Sequence, residues 1–200
     1  MPITDDQELA RAVAQASGLI QDIHNYCGRA LREDAKINFP RGLIGTANSY
    51  RDRCPGYLTP NQSSSCAYGF MYLDVLWWLL SRTGITSVGK EMAIKSAIVT
   101  VGTILEATLH VPGLPLKDIL STKSPSGVKA RLKEATKRGW ISEEQCKTLE
   151  ELWTLRTNVH LKKLPTSELD LYKVEHVNAP LEALGMLMSK MRAWHAQCSS

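Results

Sequence analysis

The chain has 200 residues, 44% of them hydrophobic and 22% charged, with a net charge of +4. That length and balance describe one globular domain, or at most one with a small appendage, with a self-sufficient core, and they exclude a disordered chain or a small disulfide scaffold. The mild positive excess is compatible with a polyanionic partner without demanding one.

The first residues, Met1-Pro2-Ile3-Thr4-Asp5-Asp6, are acidic and lack an apolar h-region, so no signal peptide is expected. The longest apolar run, Val75-Leu76-Trp77-Trp78-Leu79-Leu80, is too short to span a bilayer. A cytoplasmic location follows as the expectation. Cys27, Cys54, Cys66, Cys146 and Cys198 are odd in number and irregularly spaced, so free thiols are expected. His24 and Cys27 with Cys54 and Cys66 have the right chemistry for zinc. They contain no CxxC pair, however, and the first two fall in a helical pattern, so neither metal nor other cofactor is expected.

The periodicity is helical nearly throughout. Helix one is expected from about Asp5 to Arg32 with Thr4 as N-cap, because Leu9, Val13, Ala16, Ile20, Ile23 and Cys27 recur at three- and four-residue intervals. Residues 34–66 break the pattern. Pro40, Gly42, Gly45, Pro55, Gly56, Pro60 and the run Ser63-Ser64-Ser65 mark a long solvated loop, made basic by Arg41, Arg51 and Arg53. It is either an insertion or a cover over a cleft. The second helix, about Ala67 to Ser81, is apolar nearly all round and is expected at the centre of the fold. The third runs from about Ser87 to His110, stopped by Pro112, Gly113 and Pro115.

The fourth helix is expected from about Ser126 to Arg138, ended by Gly139. Ser142 and Gln145 form a capping box for helix five, with Glu143 and Glu144 in the first turn, where carboxylates suit the dipole. That helix should reach Leu161, since Pro165 bars continuation. The last helix starts near Asn178, with Pro180 in its first turn. No strand pattern or repeat is present, so the fold class is all-α, a bundle of five to six helices in a single domain over residues 1–200.

Helix five carries the most informative feature. With Leu149 at zero and about 100° per residue, Trp153 falls near +40°, Arg156 near −20° and His160 near +20°. Arg156 and His160 therefore sit within the apolar arc, while Glu143, Lys147, Glu150 and Glu151 take the other side. Two readings follow. In the structural one, Arg156 pairs with an internal carboxylate, Glu106 or Asp74, and His160 satisfies a backbone carbonyl. In the functional one, Arg156 holds a phosphate bidentately and His160 moves a proton, at the mouth of a groove or at a dimer interface. Lys162 and Lys163 then attract the polyanion. No P-loop, HExxH or Ser–His–acid arrangement competes.

The segment Ala130–Lys163, ARLKEATKRGWISEEQCKTLEELWTLRTNVHLKK, resembles the two helices around the Arg–His motif of HEPN domains (higher eukaryotes and prokaryotes nucleotide-binding). Lys95–Leu109 likewise resembles their glutamate-bearing core helix. The resemblance implies a bundle of four or five helices, a homodimer, and a composite cleft in which Arg156 and His160 of two copies face each other. It implies metal-independent endoribonuclease activity in toxin–antitoxin, phage-defence or RNA-processing systems, or a non-catalytic binding or dimerisation module. The implied chemistry is attack of a ribose 2′-OH on the adjacent phosphate, leaving a 2′,3′-cyclic phosphate and a 5′-hydroxyl. His160 acts as acid or base and Arg156 steadies the phosphorane, with Thr157, Asn158 and Glu106 in support. RNA is the implied substrate, and an antitoxin or other protein is an implied partner. Two features depart from the family pattern. Three residues, not four to six, separate Arg156 from His160, and Thr157 stands where Asn, Asp or His is common. Asn158 falls near 180° on the same wheel, about opposite the pair.

Overall fold

A computed structural model describes residues 2–110, 127–159 and 172–198. The described residues form seven α-helices and one short 3-10 turn, and no strand is found among them. The expected all-α architecture is therefore present. The chain divides into two compact units, Met1–Arg41 and Gly42–Ser200.

The first unit is dominated by α1, Asp6–Cys27. Its cap is Asp5 rather than Thr4: the Asp5 carboxylate accepts the Glu8 N–H at 2.8 Å, while Thr4 donates its own N–H and hydroxyl to Glu8. The helix ends at Cys27, short of the expected Arg32. Gly28 takes a φ of 55° and returns its N–H to the His24 carbonyl, a turn that only glycine enters without strain. The 3-10 turn Glu33–Ala35 follows.

The second unit opens where a long solvated loop was expected, and the expectation holds only in part, since residues 52–59 carry no helix. Residues 47–51 form α2 (Ala47–Arg51), and α3 begins at Pro60 and runs to Arg82. Pro60, read as a breaker, occupies the first helical turn, where its missing N–H costs nothing. Thr59 and Gln62 close a reciprocal capping box that carries the three serines into the helix. Nor is the stretch solvated throughout: Tyr50, Cys54 and Leu58 are buried.

The helix at the centre is α4, Ser87–Thr108, not α3. Ile94, Ala97, Ile98, Val101, Ile104 and Leu105 are buried along α4, which packs on α3, on α6 (Glu143–Asn158) and on α7 (Glu175–Cys198). Helix α3 buries one stripe, Cys66, Ala67, Leu73 and Leu76, and exposes Tyr68, Tyr72 and Trp77. Its uniform hydropathy reflects aromatic residues on the outer side, whereas α4 is lined with aliphatic side chains small enough to be surrounded.

Helix α5, Gly127–Lys137, packs on α6 through Val128, Leu132 and Ala135. Gly139, at φ 69°, turns the chain. The Ser142–Gln145 capping box then starts α6 as expected. Helix α7 begins at Glu175, a turn earlier than expected, so Pro180 lies inside it and forgoes the bond to the His176 carbonyl. Leu184, Leu187, Met188 and Met191 of α7 close the core with Leu149 and Leu152 of α6. No described helix is long and apolar enough to cross a membrane.

Candidate functional site

The site is built where the Arg156 stem of α6 lies against α4. Cys146, Leu149, Leu152 and Trp153 bury one face of α6, and Arg156 follows in its last turn. A cation there suits the helix dipole. Gly102 of α4 lies beneath it. A Cβ on Gly102 would stand 2.9 Å from Cγ of Arg156 and 3.3 Å from its Cβ, so only glycine lets the arginine stem lie against α4.

From that seat the guanidinium reaches outward. Its centre stands 4.7 Å above the Trp153 ring, and Nη2 donates to Glu106 Oε2 at 3.3 Å. The two side chains retain 32% and 50% of their exposure. The wheel placed Arg156 in the buried arc, and its stem is there; the charged end snorkels to the rim. Of the two carboxylates proposed as its partner, Glu106 holds it. Asp74 is engaged elsewhere, accepting the Gly45 N–H and the Tyr50 hydroxyl.

Thr157 is half-buried and donates its hydroxyl to the Thr154 carbonyl at 2.9 Å. Asn158 is exposed, in line with its place opposite Arg156 on the wheel. His160, Lys162 and Lys163 lie outside the described residues.

Beside the Arg156–Glu106 pair opens a groove of about 470 Å³, walled by Glu106, His110, Trp153, Gln62 and Arg131. Arg131 comes from α5 and donates to the Leu109 carbonyl at 3.3 Å. The same nitrogen lies 3.2 Å from Nδ1 of His110, which accepts it, leaving the ring hydrogen of neutral His110 on Nε2. Arg131 and His110 were not singled out in the sequence. The available signal was weak: Glu106 and His110 are four apart, which on the helix expected to reach His110 is one face, yet α4 ends at Thr108, and nothing in sequence brings α5 over them. One guanidinium, Arg131, thus shares the groove with His110 and Glu106, and a second, Arg156, is held against its wall by Glu106 and Trp153. That set suits an oxyanion of the phosphate class, because guanidinium forks match its oxygens and remain charged at any working pH.

Two thiols form the other polarised cluster. A hydrogen bond from Cys66 brings the Cys54 thiol down to about 7 and pushes Cys66 up. Both are buried, which keeps this thiolate character from reagents. Among the described residues, no group of three or more His, Cys, Asp or Glu side chains is arranged to hold a metal ion. Compared with protein-family models, curated proteins and solved structures, the chain matches none.

Proposed function

We propose that the chain is a HEPN-like, metal-independent endoribonuclease acting as a homodimer, a toxin or defence effector of the cytoplasm. The reading rests on one observation: Arg156 presents a partly exposed guanidinium beside a groove that already holds Arg131 and His110. An arginine serving only as buried glue has no need of an open rim.

In this reading the 2′-OH attacks the adjacent phosphate, and its proton passes to His160 as the oxygen–phosphorus bond forms. The 5′-oxygen leaves with a proton returned by an acid, so atoms and charge balance without metal. Acid–base transfer contributes about 10²–10⁴-fold, and positioning with charge stabilisation by Arg156 supplies the remainder. Lys162 and Lys163 attract the RNA, Thr157 and Asn158 support the helix end, and Glu106 orients Arg156.

A second reading, a non-catalytic HEPN-like module that binds a nucleotide or protein such as an antitoxin, is favoured by the occupancy of Arg156. Its guanidinium is already bonded to Glu106 and stacked on Trp153. Purified protein incubated with total RNA in EDTA separates the two. Cleavage to cyclic-phosphate ends that is lost in both His160→Ala and Arg156→Ala supports the enzyme. RNA binding without cleavage assigns the module, and neither binding nor cleavage removes both RNA readings.

A further inference from the structure

Helix α1 has 22 residues and no buried residue. Its apolar side chains remain open: Leu9 is 46% exposed, Val13 56%, Ile20 53% and Ile23 39%. Most of a helix's stability in a protein comes from packing its amphipathic face, so this open stripe calls for something to cover it.

The order of the stripe says what fits. Leu9, Val13, Ala16, Ile20, Ile23 and Cys27 follow one another at alternating steps of four and three. That is the 3.5-residue period of positions d and a in a heptad, which keeps an apolar seam in contact with a partner helix of the same pitch. The a positions are Asp6, Val13, Ile20 and Cys27, and the d positions are Leu9, Ala16 and Ile23. Val13 and Ile20, β-branched at a, with Leu9 at the first d position, favour two parallel strands. The flanking e and g positions hold Ala10, Ser17, His24, Ala12, Leu19 and Tyr26, so no carboxylates or ammonium groups oppose their own copies there. The polar outer face carries Glu8, Arg11, Gln15, Gln21, Asp22 and Asn25.

Charge disfavours the other partners of an amphipathic helix. Asp6, Glu8 and Asp22 outnumber Arg11, the one arginine or lysine of α1, so α1 is repelled by anionic lipid and by RNA. An identical helix offers a seam of matched length and period, and its one like-charge contact, Asp6 against Asp6, falls at the first residue of α1.

We propose that α1 pairs with α1 of a second copy as a parallel two-stranded coiled coil along this seam. Cys27 of each copy then faces its counterpart at the last a position. The pairing belongs to the first unit alone and stands whether or not the groove at Glu106 and Arg156 binds RNA.

The test uses the full chain carrying Cys198→Ser, with diamide as oxidant. Diamide takes up two hydrogens from two Cys27 thiols, becoming the hydrazine, and an interchain disulfide forms. Cys54, Cys66 and Cys146 are buried and do not compete. Sedimentation in reducing buffer is expected to give a dimer at tens of micromolar, and diamide is expected to cross-link most chains through Cys27. Val13→Asp with Ile20→Asp should lower the cross-linked fraction at least tenfold, and Val13→Ile should preserve it. A monomer, a dimer that does not cross-link through Cys27, or cross-linking unaffected by the aspartates overturns the proposal. So does capture of α1 by phosphatidylserine vesicles without cross-linking.

Discussion

Replacing Glu106 by Gln keeps the shape of the groove wall but removes its carboxylate, and the geometry of the pair sets what should follow. Arg156 and Glu106 meet through one contact of 3.3 Å, with 32% and 50% of their side-chain surface open to water. Such a pair behaves as a surface ion pair, with a coupling energy of about 0.2–1 kcal/mol. Arg156→Met loses that pair and the stack on Trp153, together about 1–2 kcal/mol, a fall in Tm of about 3–6 °C for a domain of this size. RNA binding should move the other way in the Glu106 variant. A carboxylate about 5 Å from a phosphate in water costs about 0.8 kcal/mol, so Glu106→Gln should tighten RNA binding about fourfold. Urea unfolding of wild type, Glu106→Gln, Arg156→Met and the double variant closes the cycle. Anisotropy of a labelled single-stranded RNA at one fixed salt concentration measures the binding. A coupling energy above about 2 kcal/mol would mark the pair as desolvated structural glue, contrary to its exposure. Weaker RNA binding by Glu106→Gln would refute the phosphate clamp.

Gly102→Ala places a methyl against the Arg156 stem and should cost about 1–2 kcal/mol in urea unfolding, after helix propensity returns part of the overpacking penalty. In an Arg156→Ala background the same change should become neutral or stabilising; an unchanged cost there would mean the clash lies elsewhere. Ser142→Ala opens the capping box of α6 and should cost about 1 kcal/mol, or about 2–4 °C in Tm. Tyr50 is pushed up to about 12, first by burial and then by its hydrogen bond to Asp74. Because the folded value lies above the ordinary 10.0, its stabilisation is complete below about pH 10 and is lost as pH rises through about 12. Urea midpoints between those limits should fall less steeply in Tyr50→Phe than in wild type, and parallel slopes would show that the hydroxyl is not responsible.

The elements that could be read from sequence are those whose stop and start signals are local. Gly139, Ser142 and Gln145 place the turn between α5 and α6 correctly because each acts on its own backbone or on one three residues away. Pro60 shows the weakness of the same method. Proline ends a helix from within but begins one from its first turn, and only the Thr59–Gln62 capping pair distinguishes the cases. The identity of the central helix was also hidden. The apolar run of α3 exceeds that of α4 in aromatic bulk, yet burial depends on how many neighbours surround a helix, and that is decided by chain topology. Pro180 repeats the lesson, since Val174 and Val177 bring the start of α7 forward by packing on the core.

The candidate site was legible to the depth of one helix. A wheel assigns each residue a direction from the axis but says nothing about the length of its side chain. Arg156 points along the buried direction, and its five-atom reach from Cβ still returns the charge to the rim once Gly102 gives the stem room. The same direction for a short side chain would have meant true burial. Arg131 illustrates the complementary limit. It shares no periodicity with Arg156, lies on a different helix, and reaches the groove only because α5 packs on α6 through Val128 and Leu132. A site assembled from α3, α4, α5 and α6 is therefore visible in sequence only through whichever member breaks the pattern of its own helix. Arg156 broke it, and Glu106 entered only as one of two carboxylates offered to it; His110, Arg131 and Gln62 sit where exposed polar residues belong and gave no such sign.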